Sequence, residues 1–224
     1  MAFEPSVVTS RSAESALATN KVLRNTYMLL SMTLLFSGVM AVVSMAIQPP
    51  AMTYLVCVIG AMVLGMFVLP RFANSSAGLG MVFLITGMLG FGIGPLLNMY
   101  LALANGPQII GTALGGTGVI FLALSGYALM TKKDFSFMGG FLMVGFFVVL
   151  AAILANIFLQ MPALSLTISA AVIFLMSGFI LYDTSRIING GETNYIMATV
   201  GLYMTIFNIF IHLLSLLGIM GGDD

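Results

Sequence analysis

Charge is what this sequence has least of. Across 224 residues only 6% are Asp, Glu, Lys or Arg, while 60% are hydrophobic and the mean hydropathy is +1.14. A soluble domain carries about 25% charged residues and about 45–50% apolar ones, so the composition excludes an ordinary soluble domain. The formal net charge is zero. That leaves no basic face for nucleic acid and no acidic field for cationic partners. Cysteine is nearly absent as well. Cys57 stands alone within an apolar run, so an intrachain disulfide is excluded, redox chemistry has no partner thiol, and cysteine usage says nothing of the compartment.

Enzyme signatures are missing too. There is no H-E-x-x-H zinc helix and no G-x-S-x-G elbow; "ALSG" at 123–126 lacks the first glycine. Tyr182-Asp183 has no second G-x-G-D to complete an aspartyl-protease pair, and the last apolar run has no lysine for retinal. His212 with nearby serines offers a base–nucleophile pair in principle, but a packed, hydrogen-bonded histidine is favoured. No catalytic residue, cofactor or metal site is expected. The nineteen Met residues read as flexible apolar filler at helix contacts rather than soft-metal ligands.

What is present is a series of long apolar runs. A helix crosses the hydrocarbon core with about 20 apolar residues, and seven stretches qualify: about 27–47, 51–69, 77–99, 108–130, 138–159, 163–183 and 195–218. The expected fold is an all-α integral membrane bundle of seven transmembrane helices. Pro49, Pro50, Pro107 and Pro162 separate runs, and Pro70 is expected to end the second. Pro95 follows Gly90, Gly92 and Gly94 inside the third run, which is therefore expected to be kinked, or broken along a pathway. In "GTALGGTGVI" (111–120) Gly111 and Gly115 form a small-xxx-small pair, read as close helix packing rather than a phosphate loop.

With seven crossings, Arg11, Lys21, Arg24, Arg71, Lys132, Lys133 and Arg186 all fall on one face and no Lys or Arg on the other. The asymmetry predicts a cytoplasmic N-terminus and an extracytoplasmic C-terminus ending in Asp223 and Asp224. The first 26 residues lack an apolar h-region, so no cleavable signal peptide is expected. The division is a cytoplasmic tail over 1–26, mobile at least at its start, a helical domain over 27–218, and a short extracytoplasmic end over 219–224. The longest polar connection is about a dozen residues, between the last two runs, so function must live in the bundle, its loops or the tail.

The last run carries the most informative pattern. Asn194, Ala198, Gly201, Thr205, Asn208, His212 and Ser215 recur at steps of four and three, so they share one helix face. A small and polar seam does not face lipid, where unpaired polar groups cost several kcal/mol. Either this is a packed central helix or the seam is hydrated and ion-conducting. Asp183 ends the preceding run. A charged group within a span costs about 2.5–3.5 kcal/mol on insertion scales, so it must find an interior, an interface or a partner. Arg186 at i+3 offers an anchoring ion pair, and Thr205 and Asn208 offer hydrogen bonds. A proton-responsive latch is the alternative.

These residues also carry a resemblance. "ILYDTSRII" followed by "GGETNYIMATVGLYMTIFNIFIHLLSLLG" (190–218) resembles the closing signature of the Bax inhibitor-1 family, more narrowly its bacterial YccA-like branch. "NKVLRNTYMLLSMTL", "GPLLNMYL", "TKKDFSFMGG" and "ANIFLQMPAL" fit as well, so the likeness is spread over nearly the whole chain. The resemblance implies a last helix surrounded by the other six. It also implies a pH-sensitive calcium leak, in which aspartates of the sixth and seventh helices share a proton. Asp183 matches the first aspartate; the second position reads Thr205, and an acidic loop position reads Asn194. A carboxylate and a hydroxyl do not titrate as a coupled pair. Members of the branch are further linked to FtsH, a membrane-anchored ATP-driven protease of the bacterial inner membrane, which they occupy as poor substrates. The expected partners are thus the lipid bilayer and FtsH, with calcium or another cation as the alternative.

Overall fold

The computed structural model describes residues 6–221, with side chains from residue 17 onward. Residues 1–5 and 222–224, with Asp223 and Asp224 of the expected extracytoplasmic end, lie outside the described residues. Every expected run forms a helix: α1 Ser6–Ile47, α2 Met52–Phe72, α3 Ser76–Leu101, α4 Gly106–Thr131, α5 Gly139–Leu159, α6 Pro162–Ile188 and α7 Tyr195–Gly221. All seven are long and apolar enough to cross a membrane, so the chain is a multi-pass membrane protein.

Three details depart from the sequence expectations. First, α1 begins at Ser6 rather than near 27. Hydropathy marks where lipid begins, whereas "SAESALATNKVLRN" holds helix-compatible residues with no Gly or Pro to stop it. Residues 6–26 are therefore helical and continuous with the first apolar run. Second, Pro70 does not end α2. A π-turn over Leu64–Val68 precedes it, with Leu69 N–H reaching back to Leu64 O. The wider turn relieves the clash that a proline ring makes with the carbonyl four residues earlier, and the helix runs on to Phe72.

Third, α3 passes through Pro95 without interruption, and its glycines serve packing instead of a break. A Cβ on Gly90 would overlap the Ser37 backbone, one on Gly94 the Ser44 side chain, and one on Gly87 the Phe36 ring. These notches draw α1 tightly onto α3. Gly111 and Gly115 behave in the opposite way. Both are exposed with open space beyond them, and α4 turns Ala113 and Thr117 inward instead. The expected close packing on that pair is not formed.

The main neighbours of α3 are α1 and α2; those of α7 are α6, α4, α1 and α3. The last helix therefore lies inside the bundle, within a ring of four principal neighbours rather than six. It shares the interior with α3, the most buried span. α5 packs chiefly on α6 and turns most of its surface outward.

Gly90→Ala should lower stability by about 1–3 kcal/mol, the usual cost of overpacking, because the clash is with backbone. Gly111→Ala should be close to neutral. Thermal unfolding of the two detergent-purified variants checks the contrast.

Candidate functional site

Two residues of the polar seam of α7, Gly201 and His212, meet α6. Asp183 is half-buried near the end of α6, and its carboxylate comes against Gly201 of α7: an added Cβ at Gly201 would stand 3.7 Å from Oδ2. An added Cβ at position 201 would make only ordinary van der Waals contact with the carboxylate. Farther along the same contact, Nδ1 of His212 lies 3.3 Å from the hydroxyl of the buried Ser169. Ser215 continues the face, half-buried.

The partners expected for Asp183 do not form. Arg186 donates to the carbonyl of Gly191 (3.1 Å), lies 3.8 Å from Glu192 Oε2 and stacks 5.6 Å above the Tyr182 ring. The reason is the turn at Gly190, whose φ of +76° folds the chain back over Arg186. A carboxylate at the membrane edge is thereby placed nearer the guanidinium than Asp183 is. Thr205 and Asn208 also decline the aspartate. Each donates within α7, Thr205 to Gly201 O (3.1 Å) and Asn208 to Met204 O (2.8 Å). Local back-bonding satisfies a polar side chain in a span without help from a neighbour.

Asn194 belongs to a different task. Its Oδ1 accepts the backbone N–H groups of Ile196 (2.9 Å) and Met197 (3.2 Å), which makes it the N-cap of α7. Its Nδ2 donates to Ala73 O (3.0 Å) and Asn74 Oδ1 (2.7 Å), tying the start of α7 to the end of α2. Asparagine directly before an apolar helical run is the sequence signal for this cap.

Several contacts had no such signal. Tyr203 of α7 and Ser37 of α1 share a buried 2.5 Å hydrogen bond, and the Tyr203 hydroxyl lies 3.3 Å from Thr86 O of α3. Tyr27 of α1 bonds Ser125 of α4 and reaches Thr184 of α6. Ser185 accepts Phe135 N–H (2.9 Å) and donates to Lys133 O (3.1 Å), holding the α4–α5 loop on α6. In that loop, hydrogen bonds from Ser136 hold the Asp134 carboxyl below the usual carboxylate range. Asp134 therefore stays charged beside Lys132 and Lys133.

The arrangement is poor in reactive chemistry. Among the described residues no three His, Cys, Asp or Glu side chains cluster to hold a metal ion. The one carboxylate and one imidazole of the α6–α7 contact sit at separate points along it, each packed. A cation leak gated at Asp183 gains no support from these contacts.

The family model described as "Inhibitor of apoptosis-promoting Bax1" matches residues 19–222. This chain belongs to the Bax inhibitor-1 family. Among its relatives, an uncharacterized membrane protein of Vibrio cholerae is 49% identical over 220 residues, covering 98% of this chain and 99% of the relative. The "Modulator of FtsH protease YccA" of Escherichia coli K12 is 49% identical over 217 residues, covering 97% and 98%. An uncharacterized protein of Pseudomonas aeruginosa is 50% identical over 204 residues, covering 91% of each chain. In this Bax inhibitor-1 protein, Thr205 spends its hydroxyl on the α7 backbone beside Asp183, and Asn194 spends its amide on a helix cap.

Asn194→Ala should destabilise the protein by about 1–2 kcal/mol through loss of the cap. Asn194→Asp keeps the accepting oxygen and should lose less. Thermal unfolding of both variants in detergent distinguishes capping from a charge requirement at this position.

Proposed function

We propose that this protein is a non-enzymatic inner-membrane modulator of the membrane-anchored protease FtsH, acting as a slowly degraded substrate that occupies it. The observation that carries the reading is 49% identity, over 97% of the chain, to a relative named modulator of FtsH protease. Another YccA sequence of the same identity is named an inner membrane protein. The confinement of Lys and Arg to one face supports a cytoplasmic N-terminus and an extracytoplasmic C-terminus.

A physical route follows from that orientation. An ATP-driven protease pulls on a cytosolic segment, and the stretch of α1 that precedes the first apolar run supplies one. The pull then meets α1 where it is held best. α1 is the main partner of α3, closes onto it over glycine notches, and is bonded to α7 through Ser37 and Tyr203. Drawing α1 out breaks these contacts before any later span moves. Interhelical hydrogen bonds inside membranes average about 0.6 kcal/mol, with a maximum near 1.7, so no single tie resists alone. The resistance is the sum of close packing and several ties met at once.

Deleting residues 2–20 should restore turnover of an FtsH membrane client to its rate without this protein; an unchanged effect removes the handle. Tyr203→Phe, which loses the tie to Ser37 but keeps the ring, should shorten the protein's own lifetime in cells with active FtsH. In cells lacking FtsH its lifetime should not change. Pulse-chase of the tagged protein in both backgrounds provides the measurement.

A further inference from the structure

α1 and α4 converge toward the Lys- and Arg-bearing face. There Tyr27 bonds Ser125, and the Tyr27 and Phe121 rings lie 6.1 Å apart. Toward the opposite face the two helices diverge, and a crevice of about 850 Å³ opens between them. Gly38 and Val42 of α1 form one wall, Leu114 and Gly118 of α4 the other, and Tyr203 and Phe207 of α7 the floor. We propose that this crevice is a binding site for an acyl chain of a phospholipid in the leaflet opposite the Lys- and Arg-bearing face.

The chemistry of the walls selects hydrocarbon. No charged residue lines the crevice. Its hydroxyls are already engaged: Ser37 with Tyr203, and Thr117 with Ala113 O at 2.7 Å. A polar ligand or water would find no free donor there, at a depth where an unpaired polar group costs several kcal/mol. The rim runs directly into the lipid-facing surface, through Val42 at 61% exposed and Leu114 at 57%. The site is thus continuous with the interface the protein already makes with lipid.

Depth fits an acyl chain of one leaflet. The α1 wall runs from Leu34 to Met45, about 17 Å at the helical rise, close to the ~15 Å of hydrocarbon that one leaflet contributes to the bilayer core. Placing the site in the extracytoplasmic leaflet rests on the proposed orientation, whereas chain binding does not. The inference is also independent of any action on FtsH.

The test uses the full chain in vesicles of phosphatidylethanolamine and phosphatidylglycerol containing a phospholipid with a diazirine in its acyl chain. After illumination, labelled peptides are mapped by mass spectrometry. Labels should concentrate on residues 34–45 and 110–121 relative to α5, which faces lipid without a crevice. Gly38→Leu combined with Gly118→Leu fills the space, since neither glycine has an atom within 4 Å of an added Cβ. It should cut that enrichment by about tenfold. Gly140→Leu, equally open but on α5, should leave it unchanged. Even labelling of crevice and α5 in the unaltered protein overturns the proposal, and that comparison needs no variant to fold. Enrichment that survives filling, or crosslinks from the crevice to a second polypeptide in place of lipid, overturns it as well.

Discussion

The bilayer interior offers no hydrogen-bond partners, and this protein is arranged around that absence. Most of its intramembrane hydroxyls and amides bond within their own helix: Thr33, Thr86, Thr117, Ser177, Thr205 and Asn208 all donate to a carbonyl three or four residues earlier. Such groups can sit anywhere on a helix without dictating its neighbours. The few that do cross between helices therefore carry positional information. Tyr203 fixes α7 to α1 through Ser37, Tyr27 links α1 to α4 and α6, and His212 meets Ser169 across α6 and α7. Among the described residues two buried hydroxyls, Thr26 Oγ1 and Ser44 Oγ, remain without a partner. Ser44 is the side chain that would collide with a Cβ at Gly94, so close approach of α1 and α3 was favoured there over satisfaction of a hydroxyl.

Close approach is the second constraint, and it works unevenly. Gly87, Gly90 and Gly94 leave α3 with a smooth face for α1, and dispersion contacts replace the hydrophobic effect that lipid cannot supply. Gly111, Gly115 and Gly118 have the same spacing logic but meet no helix. The difference is one of location: α1 lies over the first set, while Gly118 lines the crevice and Gly111 and Gly115 are exposed with nothing against them. A glycine pair states that close packing is permitted, not that a partner is present.

The same distinction explains what the sequence revealed. The seven spans were legible because apolar length is set by the bilayer, and no tertiary contact is needed to read it. The face of α7 bearing Asn194, Gly201, Thr205, Asn208, His212 and Ser215 was legible because periodicity fixes which residues share a side. Partners were not legible. Asp183 and Arg186 at i+3 satisfy the spacing of an ion pair, but the Gly190 turn delivers Glu192 to the arginine instead. Tyr203 gave no warning at all, since a tyrosine among Leu, Met and Val reads as filler until Ser37, 166 residues earlier in the chain, is placed against it. Pro70 misled because a π-turn changes the register that makes proline a stop.

These substitutions and pairings bear together on Asp183. A shared-proton gate needs a second carboxylate close enough to couple, and here that position is Thr205, whose hydroxyl is committed to Gly201 O. The acidic loop position is Asn194, committed to capping α7. The nearest loop acid, Glu192, is matched by Arg186 at the membrane edge. Asp183 itself lies against Gly201 of α7, and farther along the same pair of helices His212 meets Ser169. Helix contacts built from caps and packing contribute mechanical cohesion. That is the property a chain needs if it is to be gripped by a pulling protease and released slowly.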